Sequence, residues 1–263
     1  MTASASKPAS ESAPSVSLPA TTWAAIYLRS LAVQGSWSYE LLLGPGIGFC
    51  VEPALRHLPG GRGGDAYRQA LARQTRYFNT HPYLANLAIG ALARAELDHV
   101  APIQLERFRT AMCGPLGSVG DRLVWARWLP LCSSVALLAF ALGASPGVVL
   151  LIFLALYNVG HFGLRAWGLR AGWRSGLRMA EALGAAPLRQ GPVYLARIVA
   201  FVGGLALPLL LAGSVGPARF PLAATVLVAL AIGATLVRIQ GRVEGWRVAL
   251  IALAGLALYS VLR

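Results

Sequence analysis

Residues 128–163 read WLPLCSSVALLAFALGAS followed by PGVVLLIFLALYNVGHFG, two apolar runs without a single Asp, Glu, Lys or Arg. Each run, as a helix rising about 1.5 Å per residue, covers roughly 27 Å, close to the ~30 Å hydrocarbon thickness of a bilayer. The proline at 146 separates them. Three further runs, Val193 to Gly213, Pro221 to Val237 and Trp246 to Leu262, have the same character. The pattern predicts an all-α integral membrane protein with about five transmembrane helices over residues 128–263.

Composition agrees. The chain has 263 residues, 56% apolar and 13% charged, against roughly 25% charged in soluble domains. Mean hydropathy is +0.60, and a soluble globular enzyme is excluded. The net charge of +13 comes from 23 basic residues, all arginine except Lys7, against ten acidic ones. These arginines sit beside apolar spans, where each would cost ~2.5 to 3.5 kcal/mol at the bilayer centre, so they read as cytoplasmic retention charges and not as a nucleic-acid-binding face. Arg165, Arg170, Arg174, Arg178 and Arg189 fill the second expected loop and Arg238 and Arg242 the fourth. The first has none and the third only Arg219. This alternation puts the N-terminal half in the cytoplasm and Arg263 outside. Arg197 can snorkel from the third span.

Residues 1–22, rich in Ser, Ala, Pro and Thr, lack an apolar run and are expected to be a disordered tail. Residues 23–127 read as interfacial, short and re-entrant helices. Trp23 to Leu58 is broken by Gly35 and by Gly44, Pro45, Gly46 and Gly48, which predicts two short helices meeting at a bend. Asp65 is placed to cap a helix carrying Tyr67, Leu71 and Phe78 on one stripe. That helix stops at Asn79-Thr80-His81-Pro82, whose Asn and Thr are suited to capping the next. Tyr83 to Ala95 is apolar but too short to span, hence re-entrant or buried. A polar helix around Gln104 to Met112 leads into a second breaker cluster, Gly114 to Asp121.

Paired interruptions of this kind point to a transporter's binding site. The spacing Gly114-Pro115-x-Gly117-x-x-Gly120-Asp121 follows a helix, not a strand, and no GK[ST] follows it, so it is not a nucleotide-binding loop. Its glycines offer either exposed backbone groups for a sugar hydroxyl or close helix packing. Asp121, at the edge of an apolar stretch, needs water, a ligand, a helix N-terminus, or a salt bridge to Arg122 or Arg127. Glu40 lies beside Trp37 and Tyr39, a common setting for a pyranose ring. His81 serves either capping and packing or ligand contact. The histidines have no i, i+4 pair, the cysteines (Cys50, Cys113, Cys132) no CxxC, and no Ser-His-Asp or Cys-His set can be assembled. No catalytic group, metal or cofactor is expected.

Three segments, Gln34 to Glu40, Phe78 to Ala85 and Met112 to Asp121, together resemble the IID component of mannose-type sugar phosphotransferase systems. Trp125, Pro130 and Tyr157-Asn158 continue the likeness, which runs from Tyr27 to the glycine- and aromatic-rich stretch Gly168 to Gly176. The resemblance implies a membrane subunit that forms a hexose pathway with a IIC partner, in an assembly of three such pairs in the bacterial inner membrane. Phosphate transfer would belong to IIA and IIB proteins, whose phosphohistidine motifs this chain lacks. On this reading Asn79, Thr80, His81, Gly114, Pro115 and Asp121 lie near one substrate cavity, with Glu40 and Trp37 at its edge. Ser38, Leu41, Leu42 and Leu43 stand where the family keeps polar residues, Arg122 where it has a small residue or proline, and Trp128 where it has an arginine. The segment Ser214 to Phe220 is also short for the family. These departures define a second reading, a non-transporting relative with an assembly or regulatory role.

Overall fold

A computed structural model describes residues 17–178, 183–184 and 186–215. Their regular structure is helical: α1 (Ala20–Ser30), α2 (Gly44–Leu55), α3 (Asp65–Gln74), α4 (Ala85–Leu97), α5 (Pro102–Gly120), α6 (Leu129–Ala141), α7 (Pro146–Ser175) and α8 (Ala186–Val215). Among them three continuous helical stretches are long and apolar enough to cross a membrane: Pro102–Ala141, Pro146–Arg178 and Leu188–Leu210. These hold the first three expected spans. The fourth and fifth lie outside the described residues.

The chain forms two compact units. Among the described residues, one comprises 17–130 together with those of Leu154–Leu195, and the other Leu131–Phe153 with 196–215. In the second unit the turn between the first two spans falls where Ser145 and Pro146 predict it. Gly143 adopts φ 90 after α6, and Ala144 N–H returns to the Ala139 carbonyl at 3.0 Å, the left-handed helix stop that favours glycine. Leu137, Phe140, Leu150 and Leu151 are exposed, as lipid-facing side chains should be.

The first unit holds the main core. It includes Ile26, Ile47, Val51, Leu55, Phe78, Leu84, Leu87, Ile89 and Leu92, all fully buried. Nearly every residue of α4 is buried, in keeping with a short apolar helix enclosed by protein. Its neighbour is α7, and their backbones approach closely. A Cβ on Gly90 would sit 2.2 Å from the Leu169 carbonyl oxygen, and one on Gly172 2.0 Å from that of Leu87.

Several expectations are corrected. Helix begins at Ala20 and Leu18 is buried, both inside the stretch read as a disordered tail. The bend in the first apolar segment lies at residues 31–43, upstream of the glycine cluster. Gly44 and Gly46 fall inside α2, where side chains would strike the backbone oxygens of Arg76 and Val33, so these glycines permit packing and do not break the helix. Asp65 is the first residue of α3, bonded to Arg68 at 2.9 Å, and does not cap it. Neither Asn79 nor Thr80 caps α4, whose N-cap is Leu84.

The Gly114 to Asp121 cluster does not interrupt its helix: α5 runs through Pro115 to Gly120 and joins α6 through a π-helical segment, Asp121–Trp128. Pro130, inside α6, has no N–H for the Ala126 carbonyl and would crowd it. The wider turn just before relieves that conflict. Arg165, Arg170 and Arg174 lie on α7 and Arg189 on α8, not in a loop. The stripe Arg165, Gly168, Leu169 and Gly172 is buried, so the helix continues past its lipid-facing part into protein.

Gly172→Ala should therefore destabilise by about 1–3 kcal/mol through overpacking, lowering the unfolding midpoint in detergent by roughly 2–10 °C. Gly114→Ala, where a Cβ meets nothing within 4 Å, should leave the midpoint unchanged or slightly raised. Equal effects of the two would count against the close approach of α4 and α7.

Candidate functional site

The three segments singled out in the sequence meet in the first unit, and backbone contacts join them. Phe78 is gripped by the loop after the first segment: its N–H donates to the Leu41 carbonyl at 3.2 Å and its carbonyl accepts from Leu43 N–H at 2.9 Å. The ring of Phe78 is fully buried, with the Arg109 guanidinium 5.1 Å above it. Between the two hydrogen bonds Leu42 takes φ 48, a left-handed conformation costly for leucine and held here by the pairing around it. Of the three consecutive leucines here, Leu43 is buried and supplies packing, Leu42 is half-buried and Leu41 is exposed.

The second segment joins the third through Asn79, whose N–H donates to Cys113 Sγ at 3.4 Å. Two residues on, His81 lies against Gly120, where a Cβ would come within 2.2 Å of the histidine's own Cβ. His81 is 2% exposed, and Tyr83, Trp125 and Asp121 surround it. Tyr83 meets its ring edge-on at 5.1 Å, Trp125 lies at 5.2 Å, and Asp121 is close enough to act on its charge. The carbonyl of His81 accepts from the Leu84 and Ala85 N–H groups, both at 3.0 Å, which starts α4.

Hydrogen bonding fixes the tautomer of His81. Its Nδ1 accepts from Tyr83 N–H at 3.2 Å, so in the neutral ring the proton is on Nε2. That buried Nε2 has no partner among the described residues, and an unmet buried donor costs about 1–3 kcal/mol. Burial pushes the His81 pKa down to about 4, the nearby Asp121 charge opposing this and the Arg165 charge adding to it. His81 is therefore neutral near pH 7.

Thr80 is buried like His81, whereas Asn79, Gly114, Pro115, Asp121, Glu40 and Trp37 are exposed. Trp37 stands edge-on to Tyr39 at 4.8 Å on the turn that leads to Glu40. Glu52, Asp65, Glu96, Asp98 and Glu106 each pair with at least one arginine. Glu40 and Asp121 have no ion pair or hydrogen bond among the described residues. The anticipated alternative of a salt bridge from Asp121 to Arg122 or Arg127 is not formed. Arg122 Nε donates to the Ser118 carbonyl at 3.2 Å and Arg127 to that of Ala126 at 2.7 Å.

Sequence reasoning missed the polar interior behind this surface. Arg165, 2% exposed, donates to the Ser30 carbonyl, to His161 Nε2 at 2.7 Å and to Asn86 Oδ1 at 3.4 Å. Asn86 Nδ2 donates to Ser30 Oγ and the Arg165 carbonyl, both at 3.0 Å. The ring of Tyr83 stacks on His161 at 4.3 Å, lies 5.0 Å below the Arg165 guanidinium, and its hydroxyl shares a 2.6 Å hydrogen bond with Tyr157. The available signal was His161 and Arg165 one helical turn apart, followed by the small-residue stripe Gly168 and Gly172.

Three helical stretches long and apolar enough to cross a membrane define a helical integral membrane protein. A family described as "PTS system mannose/fructose/sorbose family IID component" matches residues 17–207, and the chain belongs to it. It is similar to the PTS system mannose-specific EIID component of Escherichia coli strain K12, 27% identical over 164 residues that cover 60% of this chain and 57% of that one. It is also similar to the PTS system sorbose-specific EIID component of Klebsiella pneumoniae, 29% identical over 171 residues, 60% and 58% of the two chains. The fructose permease IID component of Bacillus subtilis strain 168 is 26% identical over 163 residues, again 60% and 58%. The chain thus spans less than two thirds of the length of these relatives.

Among solved structures, a chain of the mannose transporter ManYZ in complex with microcin E492, determined by cryo-electron microscopy, aligns over 93% of this chain and 97% of that one, with TM-score 0.55 and 21% identity. A second, described as a membrane protein, aligns over the same shares with TM-score 0.64 and 20% identity. Both likenesses show the fold.

The unfolded chain binds a proton at His81 near its ordinary pKa of 6.5, the folded chain only near 4. Between those values the unfolded state binds more protons, so stability falls as pH drops through this window. The unfolding midpoint should decline from pH 6.5 to 4, and His81→Gln should flatten that decline. An unchanged slope in the variant would show that His81 does not ionise on unfolding.

Proposed function

We propose that this chain is the IID subunit of a mannose-class sugar phosphotransferase system and that with a IIC partner it forms the pathway of a hexose across the bacterial inner membrane. One observation carries the site: a buried His81 Nε2–H without an acceptor among the described residues stands beside Asp121, a carboxylate with no ion pair among them. A donor and an acceptor left open together suit a sugar hydroxyl, which both gives and accepts hydrogen bonds. Asn79, Thr80, Gly114 and Pro115 complete the site, with Glu40 and Trp37 at its edge. The chain has a membrane role only, while IIA and IIB proteins carry the phosphate and three IIC–IID pairs assemble.

The ends of the spans support an orientation. Arginines crowd the far end of α7 and recur at Arg238 and Arg242, whereas the α6–α7 turn has none. In this reading about five helices cross the membrane, with the N-terminus inside and the C-terminus outside. A reporter active only in the cytoplasm, fused after Arg263, should be silent. Strong activity would require an even number of crossings.

Asp121→Asn keeps the shape and removes the charge. Loss of a charge-assisted contact of ~1.5 to 3 kcal/mol should weaken uptake of labelled hexose by roughly ten- to hundred-fold in affinity, measured in cells supplying the IIC, IIB and IIA proteins. Uptake absent in the parent but appearing in Arg122→Ser would favour the non-transporting relative. Parental uptake in both variants would remove Asp121 from the site.

A further inference from the structure

We propose that the groove between α1 and α7 is a binding site for an anionic phospholipid, its acyl chain on the aromatic walls and its phosphate between Arg170 and Arg174. The groove encloses about 700 Å³. Ala20, Trp23, Ala24 and Tyr27 recur at helical spacing along one face of α1. Ala166, Leu169, Arg170, Trp173 and Arg174 do the same on α7. Alanines leave the space, and Trp23 and Trp173, edge-on at 5.0 Å, wall it. Tyr27 closes one end by donating to the Phe162 carbonyl at 3.1 Å.

The charges favour an anion. Arg170 and Arg174 are exposed, one turn apart, with no hydrogen bond or ion pair among the described residues. Arg174 also lines a second cavity of about 270 Å³, shared with Ser175, Arg178, Arg94 and Asp98. There Asp98 is engaged by Arg94 at 2.5 Å, and Arg174 and Arg178 have no acidic partner among the described residues. A polar basin with surplus positive charge thus opens beside an apolar groove, and Arg174 belongs to both. That is the layout of an amphiphile with an anionic head.

Depth along α7 fits as well. Its uncharged stretch ends at Leu164, and Arg170 lies roughly 9 Å further along the axis, in the headgroup region. Tryptophan and tyrosine gather at that level, where arginines attract anionic lipid. A soluble anion would need only the basin and would leave the apolar groove empty.

The test uses the full chain in dodecyl maltoside micelles and phosphatidylglycerol or phosphatidylcholine with dibrominated acyl chains, which quench nearby tryptophan. The signal of Trp23 and Trp173 is the part lost in the Trp23→Phe/Trp173→Phe variant. Brominated phosphatidylglycerol should quench it at roughly tenfold lower mole fraction than phosphatidylcholine. Arg170→Gln/Arg174→Gln should bring the two lipids to parity with the unfolding midpoint unchanged, and glycerol 3-phosphate should not compete. Equal quenching by both lipids in the parent overturns the proposal, as does a preference that survives the double substitution. Displacement by glycerol 3-phosphate assigns the site to a soluble phosphoester. Loss of quenching on co-purification with a membrane partner assigns the groove to a protein interface, and either result overturns the lipid.

Discussion

The guanidinium of Arg165 is the constraint around which the first unit is arranged. A cation buried to this degree must be fully hydrogen-bonded or it destabilises the fold by several kcal/mol. Here its acceptors are neutral: the Ser30 carbonyl at the end of α1, Asn86 on α4, and His161 one turn back on α7. Three helices are thereby held at fixed distances by one side chain. Because the guanidinium only donates, His161 Nε2 must be unprotonated, and a neutral imidazole can stack flat on Tyr83. Tyr83 supplies the N–H that sets the tautomer of His81. Tyr83 thus touches both the buried arginine, through its ring, and the histidine of the candidate site, through its N–H.

The remaining arginines show how a chain of net charge +13 encloses a core. Glu52 accepts from Arg29, Arg56, Arg62 and Tyr67. Burial opposes its ionisation, but those hydrogen bonds prevail and hold its carboxyl down at about 2. Glu96 takes Arg73 and Gln74 in the same way, and Arg109 extends that group by donating to Gln74 at 2.6 Å. Carboxylates in the interior of the first unit thus serve as junctions for several donors at once. Glu40 and Asp121 differ from them in being exposed and without an ion pair among the described residues, and both occur in the family's segments.

Much of this was legible in the sequence, and the exceptions share a cause. Span length and the Ser145–Pro146 boundary followed from hydrophobicity and turn chemistry, which are local. The likeness of the three segments identified the family before any contact was known. Glycine was misread at Gly44, Gly46 and Gly120, because local propensity treats it as a helix breaker, whereas tertiary packing uses it where a neighbour must come close: a backbone at Gly44 and Gly46, the His81 side chain at Gly120. At Gly114 and Gly117 a Cβ would meet nothing, and α5 continues through them and through Pro115. Arg165 was misread for the same reason. A charge near an apolar run looks like a loop residue unless its acceptors, Ser30 and Asn86, are known to lie opposite, and they are far away in sequence. The sequence named Asp121 and His81 as candidates. That His81 presents an open donor required the hydrogen bond from Tyr83.

Arg122 bears on whether the site works. If it neutralised Asp121, the departure from the family's small residue would have closed the position to a ligand, and the non-transporting reading would gain. Its Nε instead donates to the Ser118 carbonyl, one turn back along its own helix, and the side chain is exposed. Arg122, the next residue, and Arg127, six residues on, are not at the spacing that brings side chains together on one helical face, so neither is placed to reach Asp121. The cost lies with the buried His81 Nε2–H, a donor with no acceptor among the described residues, which the fold does not recover, whereas the neighbouring Asp121 carboxylate is exposed. That imbalance supports a ligand at this position over a purely structural role.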